Sequence, residues 1–114
     1  MNHKICIIGL GYVGLPLAVE FSKKYKTIGF DVNESRINEL NNFIDNTNEI
    51  SSKDLKRAKN IIFTSNNSDI KECNTYIVTV PTPINEKTKT PNLKFLKNAS
   101  KLVGSNIQSD DLVV

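Results

Sequence analysis

The sequence is poor in several residue types and patterns that mark specialised classes of protein. Its two cysteines, Cys6 and Cys73, are too few and too far apart for a disulfide framework or a zinc site. No apolar run approaches the roughly 20 residues that span a bilayer, and no secretory signal is evident at the amino terminus. The net charge is only +3 and the lysines are scattered, which argues against a nucleic-acid groove. We therefore expect a cytoplasmic protein with no membrane or nucleic-acid partner and no bound metal.

The composition that remains is that of one small folded domain. The 114 residues are 39% hydrophobic and 24% charged, which is the balance of a globular chain rather than a disordered one. The length allows one domain and not two. In such a domain the two cysteines are expected to be small buried hydrophobic side chains in a reducing compartment.

Short apolar strands alternate with helical segments along the chain. Strands are predicted at residues 4–8, 27–30, 61–64 and 75–80, and a fifth begins at residue 112 and stops with the chain. Helices are predicted at residues 12–25, 34–42, 52–59 and 93–107, with one helical turn at 68–72. This alternation predicts an α/β fold: a Rossmann-type, doubly wound parallel sheet of about five strands, truncated in the fifth.

Three local expectations accompany these elements. In the first helix Val13, Leu17 and Phe21 recur every four residues with Ala18 beside them, and this spacing predicts an amphipathic helix with these residues on its apolar face. Asn33 is the predicted N-cap of the second helix. The polar stretch at residues 43–52 is expected to be irregular.

The segment from Gly9 to Gly14 has the pattern G-x-G-x-x-G, and it follows a predicted strand and opens a predicted helix. Gly9 permits the tight turn, Gly11 lets a pyrophosphate approach the backbone, and Gly14 lets the helix pack closely on the strand. The helix N-terminus offers free N–H groups and partial positive charge to the phosphates. The alternative is a glycine turn that serves packing alone.

Asp31 stands at the end of the second predicted strand, where its carboxylate can accept hydrogen bonds from an adenosine ribose. A carboxylate there repels a 2′-phosphate, so the sequence favours NAD over NADP. The alternative role of Asp31 is that of a helix-capping acid. Arg36 is predicted to flank the ribose or adenine, and its alternative is a solvated arginine on a helix.

Pro81, Thr82 and Pro83 follow the fourth predicted strand at its carboxyl end. In an open α/β sheet, ligands bind outside the carboxyl ends of the strands at the switch point, here between the first and fourth strands. The two prolines are expected to hold the Thr82 hydroxyl near a cofactor. The alternative is a stiff loop without ligand contact.

Residues 9–18 (GLGYVGLPLA), 29–33 (GFDVN) with Arg36, and 79–84 (TVPTPI) carry a family resemblance. They resemble the NAD-binding domain of the UDP-glucose/GDP-mannose dehydrogenase family, above all its UDP-N-acetylhexosamine 6-dehydrogenases of capsule and Vi-antigen synthesis. The resemblance runs from about residue 4 to residue 114. It implies NAD as the cofactor, with contacts from Tyr12, Val13, Asp31, Arg36 and Thr82.

The resemblance also implies a reaction. Members of the family oxidise the C6 alcohol of a nucleotide sugar to a carboxylate in two NAD-dependent hydride transfers, the second through a cysteine thiohemiacetal. Neither Cys6 nor Cys73 matches the position of that nucleophile, and the catalytic residues are expected beyond residue 114. No catalytic residue is therefore predicted in this chain, which is expected to be a fragment that binds NAD weakly and turns over nothing. A full-length form is expected to bind a UDP-sugar and to be a homo-oligomer.

Several other functions share the glycine turn and stay open at this point. They are another NAD-dependent dehydrogenase of the hydroxyacid type, a non-enzymatic NAD-sensing regulatory domain, and a flavin or S-adenosylmethionine protein. A fifth strand that stops with the chain also predicts an exposed apolar edge and reduced solubility.

Overall fold

The computed structural model describes residues 3–114 and places a parallel β-sheet at the centre of the chain. The described residues form five strands: β1 (Lys4–Ile8), β2 (Lys26–Phe30), β3 (Ile61–Thr64), β4 (Thr75–Val78) and β5 (Leu112–Val113). Their order across the sheet is β3-β2-β1-β4-β5, and all neighbouring pairs are parallel. This arrangement confirms the predicted Rossmann-type fold class.

Strand β1 lies in the middle of the sheet, which explains its unbroken apolar sequence. It pairs with β2 from Lys4 opposite Lys26 to Ile8 opposite Phe30, and with β4 on its other side. Ile5 to Ile8 are all buried, as a strand covered on both faces requires. The chain order reverses between β1 and β4, so the carboxyl ends of these two strands form the switch point of the sheet.

Within residues 3–114, four α-helices and one 3₁₀-helix connect the strands. They are α1 (Gly14–Ser22), α2 (Glu34–Asn41), α3 (Ser52–Arg57), the 3₁₀-helix (Asn67–Ile70) and α4 (Lys94–Asn106). The N-cap prediction for α2 is confirmed, because the Asn33 side chain accepts a hydrogen bond from the Arg36 N–H at 3.2 Å. Helix α1 is shorter than predicted, since Tyr12 and Val13 belong to the turn that precedes it. Strand β4 ends two residues before the predicted boundary.

Hydrophobic residues form a separate core on each face of the sheet. Alternate β1 side chains point to opposite faces, so Ile5 and Ile7 join one core and Cys6 and Ile8 join the other. The first core takes its remaining members mainly from helices, namely Leu10, Leu15, Ala18, Val19, Ile37, Leu40 and Leu55. The second contains Phe30, Ile70, Cys73, Tyr76, Ala99 and Val103. Both cysteines are buried and free, which confirms their predicted packing role.

The predicted core face of α1 is confirmed only in part. Ala18 is buried and Phe21, although half-buried, packs against the first core, whereas Val13 is 47% exposed and Leu17 is half-buried. The buried residues of the helix are Gly14, Leu15, Ala18, Val19 and Ser22.

The polar segment after α2 was expected to be irregular, and it is in fact organised around one acid. The buried Asp45 carboxylate accepts hydrogen bonds from the Thr47 N–H at 2.9 Å and the Thr47 hydroxyl at 2.6 Å. It also accepts from the N–H groups of Glu49 at 2.9 Å and Ile50 at 3.0 Å. These bonds close residues 45–50 into an ordered loop, called the Asp45 loop below.

Within residues 3–114 no helix combines the length and apolar character that crossing a membrane requires. In the same described part of the chain, no three His, Cys, Asp or Glu residues cluster as metal ligands would.

Candidate functional site

The glycine turn between β1 and α1 has the backbone geometry that its sequence predicts. Gly9 has φ of +97°, a left-handed conformation that residues with a side chain rarely adopt. A Cβ atom at Gly9 would also lie 3.0 Å from the backbone of Thr79 and Val80. The Gly9 N–H donates to the Phe30 carbonyl at 2.8 Å, which fixes the turn to the end of β2. The prediction that Gly9 permits a tight turn is confirmed.

The other two glycines of the motif differ in what surrounds them. A Cβ atom at Gly14 would overlap the Gly9 carbonyl oxygen and the Thr79 hydroxyl, so glycine is required for α1 to pack against the turn. A Cβ atom at Gly11 would meet no atom within 4 Å among the described residues. Close packing therefore explains why position 14 is a glycine. It does not explain Gly11, where the space beside the backbone is open to a ligand.

The peptide groups of Leu10 are held on both sides by predicted site residues. The Leu10 N–H donates to Oδ2 of Asp31 at 2.9 Å, and the Leu10 carbonyl accepts from Nε of Arg36 at 2.8 Å. The other Asp31 oxygen, Oδ1, accepts from the Asn33 N–H at 3.0 Å. Asp31 and Arg36 thus fix the glycine turn to the beginning of α2, in addition to any contact that they make with a ligand.

The guanidinium of Arg36 is almost wholly buried, so the alternative of a solvated helix arginine is wrong. The residue is 8% exposed, and its Nη1 contacts Oδ1 of Asp45 at 2.9 Å and Oε2 of Glu39 at 3.2 Å. Its Nη2 is buried and has no hydrogen-bond partner among residues 3–114. A buried donor without a partner is costly, which makes Nη2 a candidate to donate to a bound ligand.

Asp45 stays ionised because of the groups that surround it. Burial alone raises the pKa of a carboxyl group, but hydrogen bonds from Thr47, Ile50 and Arg36 outweigh that effect. Together they lower the pKa of Asp45 from 3.8 to about 2. The residue therefore keeps its negative charge beside Arg36 throughout the physiological pH range.

A cavity of about 1230 Å³ opens at the carboxyl ends of the strands. Four predicted site residues line it: Gly9, Gly11, Asp31 and Arg36. Glu39, Asn46 and Thr47 extend this wall, and across the cavity lie the 3₁₀-helix, Val80, Pro81 and α4 residues that include Phe95, Asn98, Leu102 and Ser105. The cavity lies at the predicted switch point, where open α/β sheets bind their ligands.

The structure does not bring the remaining predicted residues into this cavity wall. Tyr12 is 71% exposed and Val13 stands beside it at the beginning of α1, while Gly14 is buried beneath the turn. Thr82 is exposed in the loop beyond Pro81. Their contacts with a cofactor stay predictions, whereas the packing role of Gly14 is confirmed.

The sequence interpretation missed three residues that shape the site. The Thr79 hydroxyl donates to the Gly9 carbonyl at 2.6 Å and so supports the turn from β4. Glu39 and Asp45 both pair with Arg36. The spacing of Asp45 and Thr47 is typical of a side-chain-capped turn and could have indicated local order. No sequence signal links that turn to Arg36.

The two thiols are unsuited to nucleophilic catalysis. Cys6 and Cys73 are buried in the second core, and neither lines the cavity. A hydrogen bond with the Cys73 side chain, together with burial, raises the pKa of the Cys6 thiol. The same hydrogen bond lowers the pKa of the Cys73 thiol, so it is the burial of both side chains away from the cavity, rather than their pKa values, that makes them unsuited as nucleophiles.

The doubly wound sheet, the glycine turn and the acid at the end of β2 define a dinucleotide-binding domain of the Rossmann type. Residues 3–114 match the family model described as "UDP-glucose/GDP-mannose dehydrogenase family, NAD binding domain". The chain belongs to this family, and NAD is the cofactor of the matched domain. Membership decides against the other classes of protein that the glycine motif alone left open.

The sequences of known relatives align with nearly the whole of this chain. It is 54% identical over 111 residues to the UDP-N-acetyl-D-glucosamine 6-dehydrogenase of Salmonella typhi and 50% identical over 111 residues to that of Pseudomonas aeruginosa. Each match covers 97% of this chain and 26% of the relative, so the chain spans about a quarter of their length. A solved UDP-D-ManNAc dehydrogenase from Pyrococcus horikoshii superposes with a TM-score of 0.88 at 29% identity, covering 96% of this chain and 27% of that one.

Proposed function

We propose that this chain supplies the NAD site of a nucleotide-sugar 6-dehydrogenase that oxidises a UDP-N-acetylhexosamine to make a precursor of capsule or another polysaccharide. The substrate class is supported by the UDP-N-acetyl-D-glucosamine 6-dehydrogenases of Pseudomonas aeruginosa and Salmonella typhi, which are about half identical to the chain. Oxidation of a C6 alcohol to a carboxylate removes four electrons, which equals two hydride transfers and therefore two molecules of NAD. When bound, NAD supplies the hydride acceptor for each step.

The residues of the cavity fit a dinucleotide. The pyrophosphate is proposed to lie over Gly11, where a side chain is absent and the space is open. The adenosine ribose is proposed to lie beside Asp31 and Arg36, which offer a carboxylate and the unpartnered Nη2 donor. The observation that carries this assignment is the pair of hydrogen bonds from Leu10 to Asp31 and from Arg36 to Leu10. These bonds place the Asp31 carboxylate and the Arg36 guanidinium beside Gly11.

Three further contacts belong to this proposal. Tyr12 and Val13 stand exposed at the beginning of α1, where N–H groups without helical partners face the phosphates in this fold. Thr82 stands exposed beyond Pro81, which lines the cavity, and is proposed to contact the nicotinamide half.

The chain is proposed to bind NAD without carrying out the chemistry. Oxidation of the aldehyde intermediate needs an activated nucleophile, and neither buried cysteine lines the cavity. The catalytic groups are therefore proposed to come from the part of the family's sequence beyond this domain. Two free cysteines are compatible with a cytoplasmic location. In its full-length form the protein is proposed to be a homo-oligomer.

Gly11→Ala tests the cofactor site. Because the new Cβ meets no protein atom, the variant is expected to fold normally, and because it occupies the approach to the backbone, NAD affinity should fall by about tenfold or more. Calorimetric titration with NAD measures the affinity. Gly104→Ala is the matched control: its Cβ also meets open space, but the residue lies in α4 and does not line the cavity.

Two results would contradict the proposal. One is a folded chain that does not bind NAD, or that binds it equally well with alanine at position 11. The other is formation of NADH when the 114-residue chain is mixed with NAD and UDP-N-acetylglucosamine, since the chain is proposed to lack catalytic groups.

A further inference from the structure

We propose that Asp45 and Glu39 set the preference for NAD over NADP by holding Arg36 as a hydrogen-bond donor without net positive charge. The inference rests on the proposed position of the adenosine ribose beside Asp31 and Arg36. It assigns Asp45 as a positioning residue that acts through Arg36.

Arg36 lies in the first turn of α2, close to the end of the second strand, where the charge of an arginine can decide which dinucleotide is bound. Free of acidic partners, it is the group that accommodates the 2′-phosphate of NADP. In this structure, however, its charge is already matched, because Nη1 contacts the carboxylates of Asp45 at 2.9 Å and Glu39 at 3.2 Å. Its Nε is also engaged, with the Leu10 carbonyl at 2.8 Å. Only Nη2 lacks a partner among residues 3–114.

The charges around the site favour a neutral ribose. Three carboxylates, those of Asp31, Glu39 and Asp45, stand against the single guanidinium of Arg36. A 2′-phosphate carries close to two negative charges and would lie beside this cluster, whose own net charge is negative. Lys71, Lys94 and Lys101 also line the cavity, but in the described part of the chain none of them forms an ion pair with these three carboxylates. A 2′-hydroxyl is neutral, and it can accept from Nη2 while donating to a carboxylate. The cluster as a whole, rather than Asp31 alone, therefore discriminates between the two cofactors.

Asp45 has the stronger effect of the two partners. Its side chain is completely buried, and four hydrogen bonds from the Asp45 loop fix its position, whereas the Glu39 side chain is 27% exposed. Charge pairs interact more strongly away from water. The Asp45 loop also lines the cavity through Asn46 and Thr47, so it is part of the wall near Arg36.

The test compares dissociation constants for NAD and NADP, measured by calorimetry on the 114-residue chain. Asp45→Asn removes the buried charge, and Glu39→Gln removes the partly exposed one. Glu49→Gln is the matched control, because this exposed acid in the same loop makes no side-chain contact with Arg36. The dissociation constant for NADP divided by that for NAD is expected to fall by about tenfold in Asp45→Asn, so the ratio narrows towards one. It should narrow by less in Glu39→Gln and stay unchanged in Glu49→Gln.

An unchanged ratio in Asp45→Asn, with the fold and NAD binding retained, overturns the inference and leaves the proposed function intact. So does an equal change in Glu49→Gln, which would indicate a general charge effect. If circular dichroism shows that Asp45→Asn does not fold, Glu39→Gln decides: a narrowed ratio supports the inference and an unchanged one overturns it. A folded wild-type chain that binds neither dinucleotide overturns the proposed function and this inference together.

Discussion

Asp45 is the residue whose ionisation matters most for the stability of the site. It is buried, it accepts four hydrogen bonds within its own loop, and it pairs with Arg36, which in turn holds the glycine turn. These interactions belong to the charged carboxylate. Protonation therefore weakens the loop, the arginine and the turn at once.

The stability of the folded chain should consequently fall in acid. The pKa of Asp45 is lowered from 3.8 to about 2 in the folded chain, so its contribution is complete above pH 3.8 and is lost as the pH falls towards 2. The expected loss is roughly 2 kcal/mol in the free energy of unfolding. Urea denaturation at neutral pH and at the acid end of this window measures it. Asp45→Asn should be less stable at neutral pH and show a smaller acid loss, and an equally steep loss in that variant contradicts the assignment.

At the residue scale, local chemistry could be predicted and long-range pairing could not. The roles of Gly9 and Gly14 could be predicted because both residues belong to a short motif of fixed spacing between a strand and a helix. Asp31 was placed correctly at the end of β2, although its hydrogen bond to Leu10 was not foreseen. The pairing of Arg36 with Asp45 joins α2 to a loop of irregular composition, and nothing in the spacing of those residues indicates it.

Helix α1 shows how one contact sets the orientation of an element. Its residues 15–19 are all apolar, so hydrophobic spacing fits more than one face and does not determine which face is buried. The contact of Gly14 with the Gly9 carbonyl and the Thr79 hydroxyl removes that ambiguity, because it fixes the beginning of the helix against the turn. For this reason the predicted inward positions of Val13 and Leu17 were wrong. The strands were predicted better, since continuous apolar runs identify a buried strand without a choice of face.

Gly14→Ala tests that contact. The new methyl group would overlap the Gly9 carbonyl oxygen, so α1 must shift away from the turn. Overpacking of this kind costs about 1–3 kcal/mol in the free energy of unfolding, or more where backbone must move. Chemical denaturation measures the loss.

The same measurement on Gly11→Ala is the control within the turn, because its Cβ meets open space and little stability should be lost. Equal stability of the Gly14→Ala variant and the wild-type chain would show that the helix is not held by this contact.

At the scale of the whole molecule, the cavity joins parts of the chain that otherwise have few buried contacts. Helix α4 buries only Ala99 and Val103 against the sheet, yet it forms much of one cavity wall. The opposite wall consists of the glycine turn, α2 and the Asp45 loop. A dinucleotide between these walls would add contacts to α4.

NAD should therefore slow amide hydrogen exchange in α4 more than elsewhere on the helical surface. Elements with few buried contacts open at low free energy, and a ligand that binds only the closed form suppresses the opening. Exchange followed by mass spectrometry, with and without NAD, measures the effect. Helix α3 is the internal control, because it does not line the cavity. Equal protection of α3 and α4 would argue that the ligand does not bind between the two walls.

The two hydrogen bonds that hold Leu10 have a consequence for how tightly a dinucleotide binds. A loop that becomes ordered only when its ligand arrives loses conformational entropy at that moment and weakens the complex. Here Asp31 and Arg36 immobilise the peptide groups of Leu10 while the chain folds. The glycine turn is therefore preorganised, and little of the binding free energy is spent on ordering it.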